Sequence, residues 1–216
     1  MLRLFALILL GVAPSPSGGS FPADLIGKWE SVTNLFGSHS MLEWQLELRA
    51  DGSLVSSTAS VTEARYRVTG LNLLKEFLDP YGKVMQVTSV LEIRGDKLRE
   101  TASNGRVTEM TRAAPEKGQG GAPIVGVWTY RDPEFKAGLS SVTFLPDGRM
   151  ILRVPMKLDT GTWKASSDKL TYSLGKQEPE TVGYRRVVDL LTILSNAGQK
   201  SEFRRVVASD RSGARP

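Results

Sequence analysis

Apolar and polar residues alternate with a period of two along most of this chain. In the segments 44–48 and 169–174 every second residue is Leu, Trp or Tyr, and the residues between them are polar. Such alternation predicts half-buried β-strands. Asp-Gly or Asn-Gly pairs at 51–52, 104–105 and 147–148 separate runs of this kind and favour tight hairpin turns. The pattern therefore predicts an all-β, antiparallel fold.

The two halves of the chain also resemble each other. Four pairs of segments match in the same order: 25–29 with 124–128, 46–54 with 142–150, Tyr66 with Trp163, and 98–112 with 191–205. Matching order and spacing indicate an internal duplication. Each repeat holds about eight short strands, enough to close into a small barrel without exposed edges. We therefore expect two tandem up-and-down β-barrels, repeat 1 at 25–112 and repeat 2 at 124–207.

One segment of repeat 1, 71–78, fits two patterns. Its residues Leu71, Leu74 and Leu78 also match one face of a helix. The corresponding segment of repeat 2 alternates as a strand does. A strand is therefore predicted here too, ended by Pro80.

Three segments lie outside the repeats. Residues 1–20 combine Arg3, the apolar run 4–12 and a small-residue exit, which predicts a cleaved secretory signal peptide and a secreted or periplasmic protein. The run is shorter than the roughly 20 residues that cross a membrane, so no transmembrane segment is expected. Residues 113–123 are rich in Gly and Pro and predict a flexible linker. Residues 208–216 predict a disordered tail.

Composition excludes several function classes. The chain has no cysteine, which rules out disulfides, thiol nucleophiles and cysteine-based zinc sites. Its formal net charge is +5, but positive and negative residues are interspersed. Basic pairs such as Arg185-Arg186 are therefore expected on solvated strand faces, and no nucleic-acid partner is predicted.

Catalytic chemistry finds little support in the residues. His39 is the single histidine and lies in a Gly/Ser turn. The chain has no Gly-x-Ser-x-Gly motif that would supply a serine nucleophile to act with this histidine. Calcium-loop and phosphate-loop patterns are also missing. Alternation could turn Glu43, Glu63, Glu100 and Glu109 inward, although carboxylates on surface strands are the preferred interpretation. We expect no enzyme activity, no catalytic residue, no metal site and no cofactor.

Several motifs carry a resemblance to a known family. They are Gly27-Lys28-Trp29, Gly126-Val127-Trp128, the mid-repeat Asp-Gly hairpins, the segment 161–164 and the closing strand 198–206. Together they resemble small secreted lipocalin-like domains of bacteria, many known as paralogous domains of unknown function in planctomycetes. Repeat 1 departs from the pattern where Ala64-Arg65-Tyr66 replaces Gly-Thr-Trp. The resemblance implies a barrel fold and leaves the function open.

Aromatic residues supply the candidate site positions. Trp29 and Trp128 begin equivalent strands and are predicted to plug one end of each barrel, with the indole N–H bonded to an oxygen. Gly27 and Gly126, like Tyr66 and Trp163, are predicted to be structural. By the resemblance, Phe36 and Phe135 lie in loops that border the open mouth and are the candidate ligand contacts. The alternative is that both rings fold back on the barrel.

Two functions are expected from these observations. The first is a secreted, non-catalytic, lipocalin-like protein that binds a small apolar or amphipathic molecule. The second is an interaction or scaffold module of the cell envelope with fully packed barrels, where two tethered sites gain avidity for an envelope protein. A hydrolase or isomerase that uses a carboxylate at the barrel mouth ranks behind both.

Overall fold

The fold is known from a computed structural model that describes residues 21–34, 40–79, 81–113, 122–135 and 137–207. In these residues the chain forms fourteen strands and no helix. The strands are β1 (Gly27–Asn34), β2 (Ser40–Leu48), β3 (Ser53–Thr69), β4 (Asn72–Leu78), β5 (Val84–Arg94), β6 (Lys97–Ala102), β7 (Val107–Arg112), β8 (Gly126–Tyr130), β9 (Ser140–Phe144), β10 (Arg149–Ser166), β11 (Lys169–Leu174), β12 (Glu180–Val187), β13 (Leu190–Leu194) and β14 (Lys200–Arg205). The predicted signal peptide and tail, and residues 114–121 of the linker, lie outside the described residues.

The strands form one closed antiparallel ring. Each strand pairs with its neighbours in sequence, and β1 pairs with β14 to complete the circle. The all-β antiparallel prediction is confirmed. Two separate barrels, one from each repeat, are not confirmed, because the ring is continuous through both halves of the chain.

The segment that fitted two patterns is strand β4. Leu73 is completely buried, whereas Leu71 and Leu78 are exposed. The helical spacing therefore connected residues that lie mostly outside the core. Strand is the correct prediction for this segment.

Strands β3 and β10 are long and pair with each other across the ring. Their register runs from Ser53 opposite Thr162 to Arg65 opposite Arg149, with a bulge at Pro155 to Lys157. The first part of β3 also pairs with β2 and its last part with β4, and β10 divides in the same way between β9 and β11. The β3–β10 pairing therefore divides the ring into two lobes of eight strand segments each.

Lobe A consists of β1, β2, the first part of β3, the last part of β10 and β11–β14. Lobe B consists of the last part of β3, β4–β9 and the first part of β10. Each lobe contains strands from both repeats. Trp29 of repeat 1 lies opposite Arg205 of repeat 2 in lobe A, and Trp128 of repeat 2 lies opposite Arg112 of repeat 1 in lobe B.

Each lobe has its own hydrophobic core. The core of lobe A is formed by Leu25, Trp29, Leu46, Leu48, Leu54, Trp163, Leu170, Val182, Leu191 and Phe203. The core of lobe B is formed by Ala64, Leu73, Leu91, Leu98, Met110, Ile124, Val125, Trp128, Val142, Phe144 and Met150. The inward faces of the alternating strands supply most of these residues, as period-two alternation requires.

Candidate functional site

Trp29 lies in the core of lobe A. Its ring is completely buried, and its Nε1 donates a hydrogen bond to the Leu25 carbonyl at 2.8 Å. The Arg205 guanidinium lies 4.3 Å from the ring centroid and donates to the Ile26 carbonyl at 2.9 Å. Gly27 has a φ of 140°, which residues with a side chain rarely adopt, so this position favours glycine. The cation–π contact and the hydrogen bonds stabilise the position of the Trp29 ring.

Lobe B repeats the same contacts around Trp128. Trp128 is completely buried, and its Nε1 donates to the Ile124 carbonyl at 2.7 Å. The Arg112 guanidinium lies 4.1 Å from the ring centroid and donates to the Val125 carbonyl at 2.6 Å. Gly126 has a φ of 127° and leaves room for that guanidinium. Both indole N–H groups bond a backbone oxygen, and the role of the two rings as plugs stays a prediction.

Trp163 and Tyr66 connect the two repeats. Trp163 Nε1 donates to the Arg49 carbonyl at 3.0 Å, and the Tyr66 hydroxyl donates to the Leu145 carbonyl at 2.8 Å. Each bond joins β3 or β10 to the turn region of the other repeat. Tyr66 also packs edge-on against Phe144, with ring centroids 4.9 Å apart. These contacts fix the junction between β3 and β10.

Lobe B contains a cavity of about 240 Å³. Its apolar wall is formed by Phe77, Val87, Ala102, Met110, Val142, Phe144, Met150 and Leu152. Its polar lining consists of Lys75, Glu100, Arg106, Thr108, Tyr130 and Asp132. In this lining, Ala102 and Arg106 flank the turn between β6 and β7, Tyr130 ends β8, and Asp132 follows two residues later. An apolar wall with a few convergent polar groups is typical of a small-molecule site.

A buried ion pair lies in this cavity. The Lys75 Nζ on β4 donates to the Glu100 Oε1 on β6 at 2.5 Å. The two side chains are only 16% and 10% exposed. Ionised groups removed from water lose several kcal/mol of hydration, which their mutual attraction offsets only when the geometry is good. The pair therefore needs this close contact to be retained.

A second ion pair lies nearer the mouth. Arg106 Nη2 is 3.6 Å from Asp132 Oδ1, and the Arg106 side chain is 53% exposed. Tyr130 shares the region, and burial raises the pKa of its phenol above the usual range, an effect that exceeds the lowering by the neighbouring Ser140 hydroxyl and the Arg106 charge. The Tyr130 phenol is therefore neutral and able to donate a hydrogen bond at neutral pH. The two pairs leave the lining without net charge.

The corresponding positions of lobe A are occupied differently. Lys75 pairs with Tyr66 in the register as Tyr172 pairs with Trp163, so Tyr172 is the counterpart of Lys75. Glu100 lies opposite Thr108 as Ile193 lies opposite Ser201, so Ile193 is the counterpart of Glu100. Lobe B therefore has a charged pair at positions where lobe A has Tyr172 and Ile193.

The second strand of each repeat also differs between the lobes. Trp44 packs edge-on against Phe203, with ring centroids 5.1 Å apart, and its Nε1 donates to the Ser56 hydroxyl at 2.9 Å. Ser140 is the counterpart of Trp44 in lobe B, because each lies on the second strand of its repeat, seven residues before the Asp of the Asp-Gly turn. Ser140 is completely buried but does not line the cavity.

The predicted ligand contacts fall partly outside this cavity. Phe135 lies half-buried in the loop after β8, at the mouth of lobe B, but does not line the cavity. Phe36 lies outside the described residues, as does His39. Their predicted roles stay predictions.

The four candidate carboxylates have different surroundings. Glu100 is buried in the cavity, whereas Glu63 and Glu109 are exposed. Glu43 accepts hydrogen bonds from Arg153 at 3.0 and 2.6 Å, which ties β2 to β10. Sequence reasoning missed Lys75, because it lies in the segment with two competing patterns. Its place opposite Tyr66 was the signal that could have identified it.

In residues 21–34, 40–79, 81–113, 122–135 and 137–207, no three His, Cys, Asp or Glu side chains cluster as metal ligands. Within the same part of the chain there is also no helix of the length and hydrophobicity that crosses a membrane.

Comparison with known proteins identifies no relative. No protein-family model, no curated protein sequence and no solved structure matches this chain. The described residues form an antiparallel all-β fold. One lobe of this fold contains a small cavity that combines an apolar wall with a few polar groups.

Proposed function

We propose that this protein binds a small amphipathic molecule in the cavity of lobe B. The observation that carries the proposal is the buried Lys75–Glu100 pair on the wall of a cavity of about 240 Å³. A polar group of the ligand would contact the ion pair, and its apolar part would lie against residues such as Phe77 and Met110. Cavities of this composition bind ligands through a few polar contacts and a larger apolar surface.

Stability alone does not account for the ion pair. Well-packed apolar residues of similar volume are often as stabilising as a buried ion pair, or more so, by about 1–4 kcal/mol. Lobe A has Tyr172 and Ile193 at the matching positions, so this fold accommodates uncharged side chains there. Retention of the charged pair beside a cavity supports a binding role.

The cavity volume limits the size of the ligand. At ~30 Å³ per water molecule it equals roughly eight waters, which corresponds to a ligand of roughly eight to twelve non-hydrogen atoms. Sterols and long-chain lipids exceed this size. Medium-chain amphiphiles with about eight carbons fit it, so they are the class to test.

Calorimetric titration of the full chain tests the proposal. The ligands are eight-carbon amphiphiles with amide, acid, amine and dimethylamide heads. Thr108→Phe places a ring in the cavity, and Ser201→Phe makes the same change at the matched position of lobe A. We expect wild type and the Ser201 variant to bind at least one amphiphile and the Thr108 variant to bind none. Equal binding by all three folded proteins, or no binding by wild type, would refute the proposal.

A second function has support from lobe A. Its interior is filled by side chains such as Trp44, Trp163 and Phe203, so this lobe would act through its outer surface. The proposal is an interaction or scaffold module of the cell envelope. Recovery of a specific envelope protein by the full chain, retained with the Thr108→Phe variant, supports it. Recovery that disappears with that variant would assign the interaction to the cavity and contradict it.

We also propose that the lobes are the two predicted lipocalin-like barrels after an exchange of strands. In this exchange β1, β2 and the first part of β3 have changed places with β8, β9 and the first part of β10. The β1–β14 and β7–β8 pairings between repeats support this. A protease site inserted in the linker 113–123 tests it by size-exclusion chromatography after cleavage. Interlocked repeats stay together at native size, whereas independent tandem barrels separate into halves.

The proposed location of the protein is outside the cytoplasm. Arg3 and the apolar run 4–12 support a signal peptide in residues 1–20. The intact mass of the protein from its own host tests this. Loss of about the first twenty residues supports export, and the mass of the full 216-residue chain contradicts it.

A further inference from the structure

The Lys75–Glu100 pair has unused hydrogen-bonding capacity. A lysine ammonium carries three N–H donors, and a carboxylate accepts through two oxygens. Among the described residues, the Lys75 Nζ and the Glu100 carboxylate have only their mutual contact as a side-chain hydrogen bond. Polar groups with low exposure normally satisfy the rest of their capacity with a partner or with water. Both groups line the cavity, so a partner for their remaining donors and acceptors would lie there.

From this we infer the chemistry of the ligand head, an inference that rests on the proposed function. The head is uncharged and presents an N–H donor and a carbonyl oxygen acceptor on the same carbon, as a carboxamide or a lactam does. Its carbonyl oxygen accepts from the free N–H groups of Lys75. Its N–H donates to the Glu100 carboxylate. Hydrogen bonds to charged groups are stronger than those between neutral groups, so both contacts favour such a head.

The charge balance of the cavity excludes ionised heads. Lys75 is compensated by Glu100, and Arg106 by Asp132. A carboxylate would add an uncompensated negative charge next to Glu100, and an ammonium would add a positive charge next to Lys75. Buried charge without a partner is strongly unfavourable. A neutral head avoids this cost.

A single-function neutral head satisfies only one side of the pair. A dialkylated amide accepts from Lys75 but has no N–H for Glu100. The carboxylate then loses water without gaining a donor, which weakens binding more than the missing contact itself does. Selectivity between the primary and the dimethylated amide therefore reports on Glu100.

Four eight-carbon ligands test the inference on the full chain: octanamide, octanoate, octylammonium and N,N-dimethyloctanamide. We expect octanamide to bind wild type roughly tenfold or more tightly than the other three. The double variant Lys75→Met/Glu100→Leu should bind the two amides within about twofold of each other. Its melting temperature, and that of the Ser201→Phe control, verify folding.

The outcomes separate the head group from the site. If octanoate, octylammonium or the dimethylamide binds wild type as tightly as octanamide does, the inferred head group is wrong. The proposed binding function then stays in place. Unchanged amide selectivity in the folded double variant also overturns it, because the selectivity then arises elsewhere. No binding of any of the four, or unchanged binding by Thr108→Phe, overturns the proposed function itself.

Discussion

Removing Glu100 should destabilise the protein far more than removing the whole ion pair. Glu100→Leu leaves the Lys75 ammonium 16% exposed and without its partner. An uncompensated buried charge typically costs about 3–5 kcal/mol, and we expect the lower end because the cavity gives Lys75 some access to water. For a protein of this size, about 3 kcal/mol lowers the melting temperature by about 6–12 °C. Lys75→Met should act in the same direction.

The double variant Lys75→Met/Glu100→Leu should recover most of this loss. Two apolar side chains restore packing without a buried charge, as Tyr172 and Ile193 do in lobe A. Its free energy of unfolding should lie within about 1 kcal/mol of wild type or above it. The coupling energy of the pair, from urea denaturation of all four proteins followed by tryptophan fluorescence, should therefore be about 3 kcal/mol or more.

An exposed pair of similar geometry is the control. Lys200 Nζ lies 2.6 Å from Glu202 Oε1, but the side chains are 57% and 49% exposed. Its cycle, Lys200→Met with Glu202→Leu, should give a coupling energy of about 0.5 kcal/mol. A double variant of the Lys75–Glu100 pair as unstable as Glu100→Leu would refute the reasoning. So would equal coupling energies for the two pairs.

Three further changes test other parts of the fold. Gly161→Ala should lower the free energy of unfolding by about 3 kcal/mol, because the new Cβ would lie 1.7 Å from a carbonyl oxygen of β11. The control is Gly183→Ala, whose Cβ would lie 3.6 Å from its nearest neighbour. It should cause a much smaller loss in the same urea titration. Arg205→Leu removes the contact over Trp29 and should cost about 1–3 kcal/mol, and an unchanged melting temperature would contradict the plug. Burial and the Glu180 carboxylate raise the pKa of Tyr172 to about 12, so its contribution to stability is complete below pH ~10 and is lost as the pH rises towards 12. Between pH ~9 and ~12 the melting temperature should fall less steeply for Tyr172→Phe than for wild type. Identical slopes for the two proteins would contradict this.

The strands and turns of this fold follow from the sequence because alternation and Asp-Gly pairs act locally. The turn predicted at 51–52 separates β2 from β3, and the one at 147–148 separates β9 from β10. Partner choice is not local. Because the repeats are alike, the first strand of either repeat fits the last strand of either, and alternation fixes the inward face without fixing the neighbour. The continuous segment 53–69, which has no Gly or Pro, was the available sign of a long strand shared by two lobes.

The site was harder to predict than the fold. Alternation made Glu100 one of four carboxylates that could turn inward, but a surface position was the preferred interpretation, and Glu100 is only 8% exposed. Its partner comes from another strand, 25 residues away in the chain. Only pairing of β4, β5 and β6 brings the two charges together. Sequence patterns that act along one strand do not report such a contact.

Strands shared between lobes couple the stability of one lobe to the other. Unfolding lobe B alone would separate the last part of β3 from β10, whose first and last parts belong to different lobes. The packed interior of lobe A can therefore support a lobe B that contains a cavity and a buried ion pair, both of which reduce stability.

This coupling predicts a single unfolding transition. Gly161→Ala lies at the β10–β11 pairing in lobe A, yet it should lower the temperature at which lobe B unfolds as much as the temperature at which lobe A unfolds. Differential scanning calorimetry with and without a cavity ligand measures this, since a ligand raises the temperature of every element that unfolds with its site. Two transitions, of which only one responds to the ligand, would mean that the lobes unfold independently. The β3–β10 pairing would then join the lobes without coupling their stability.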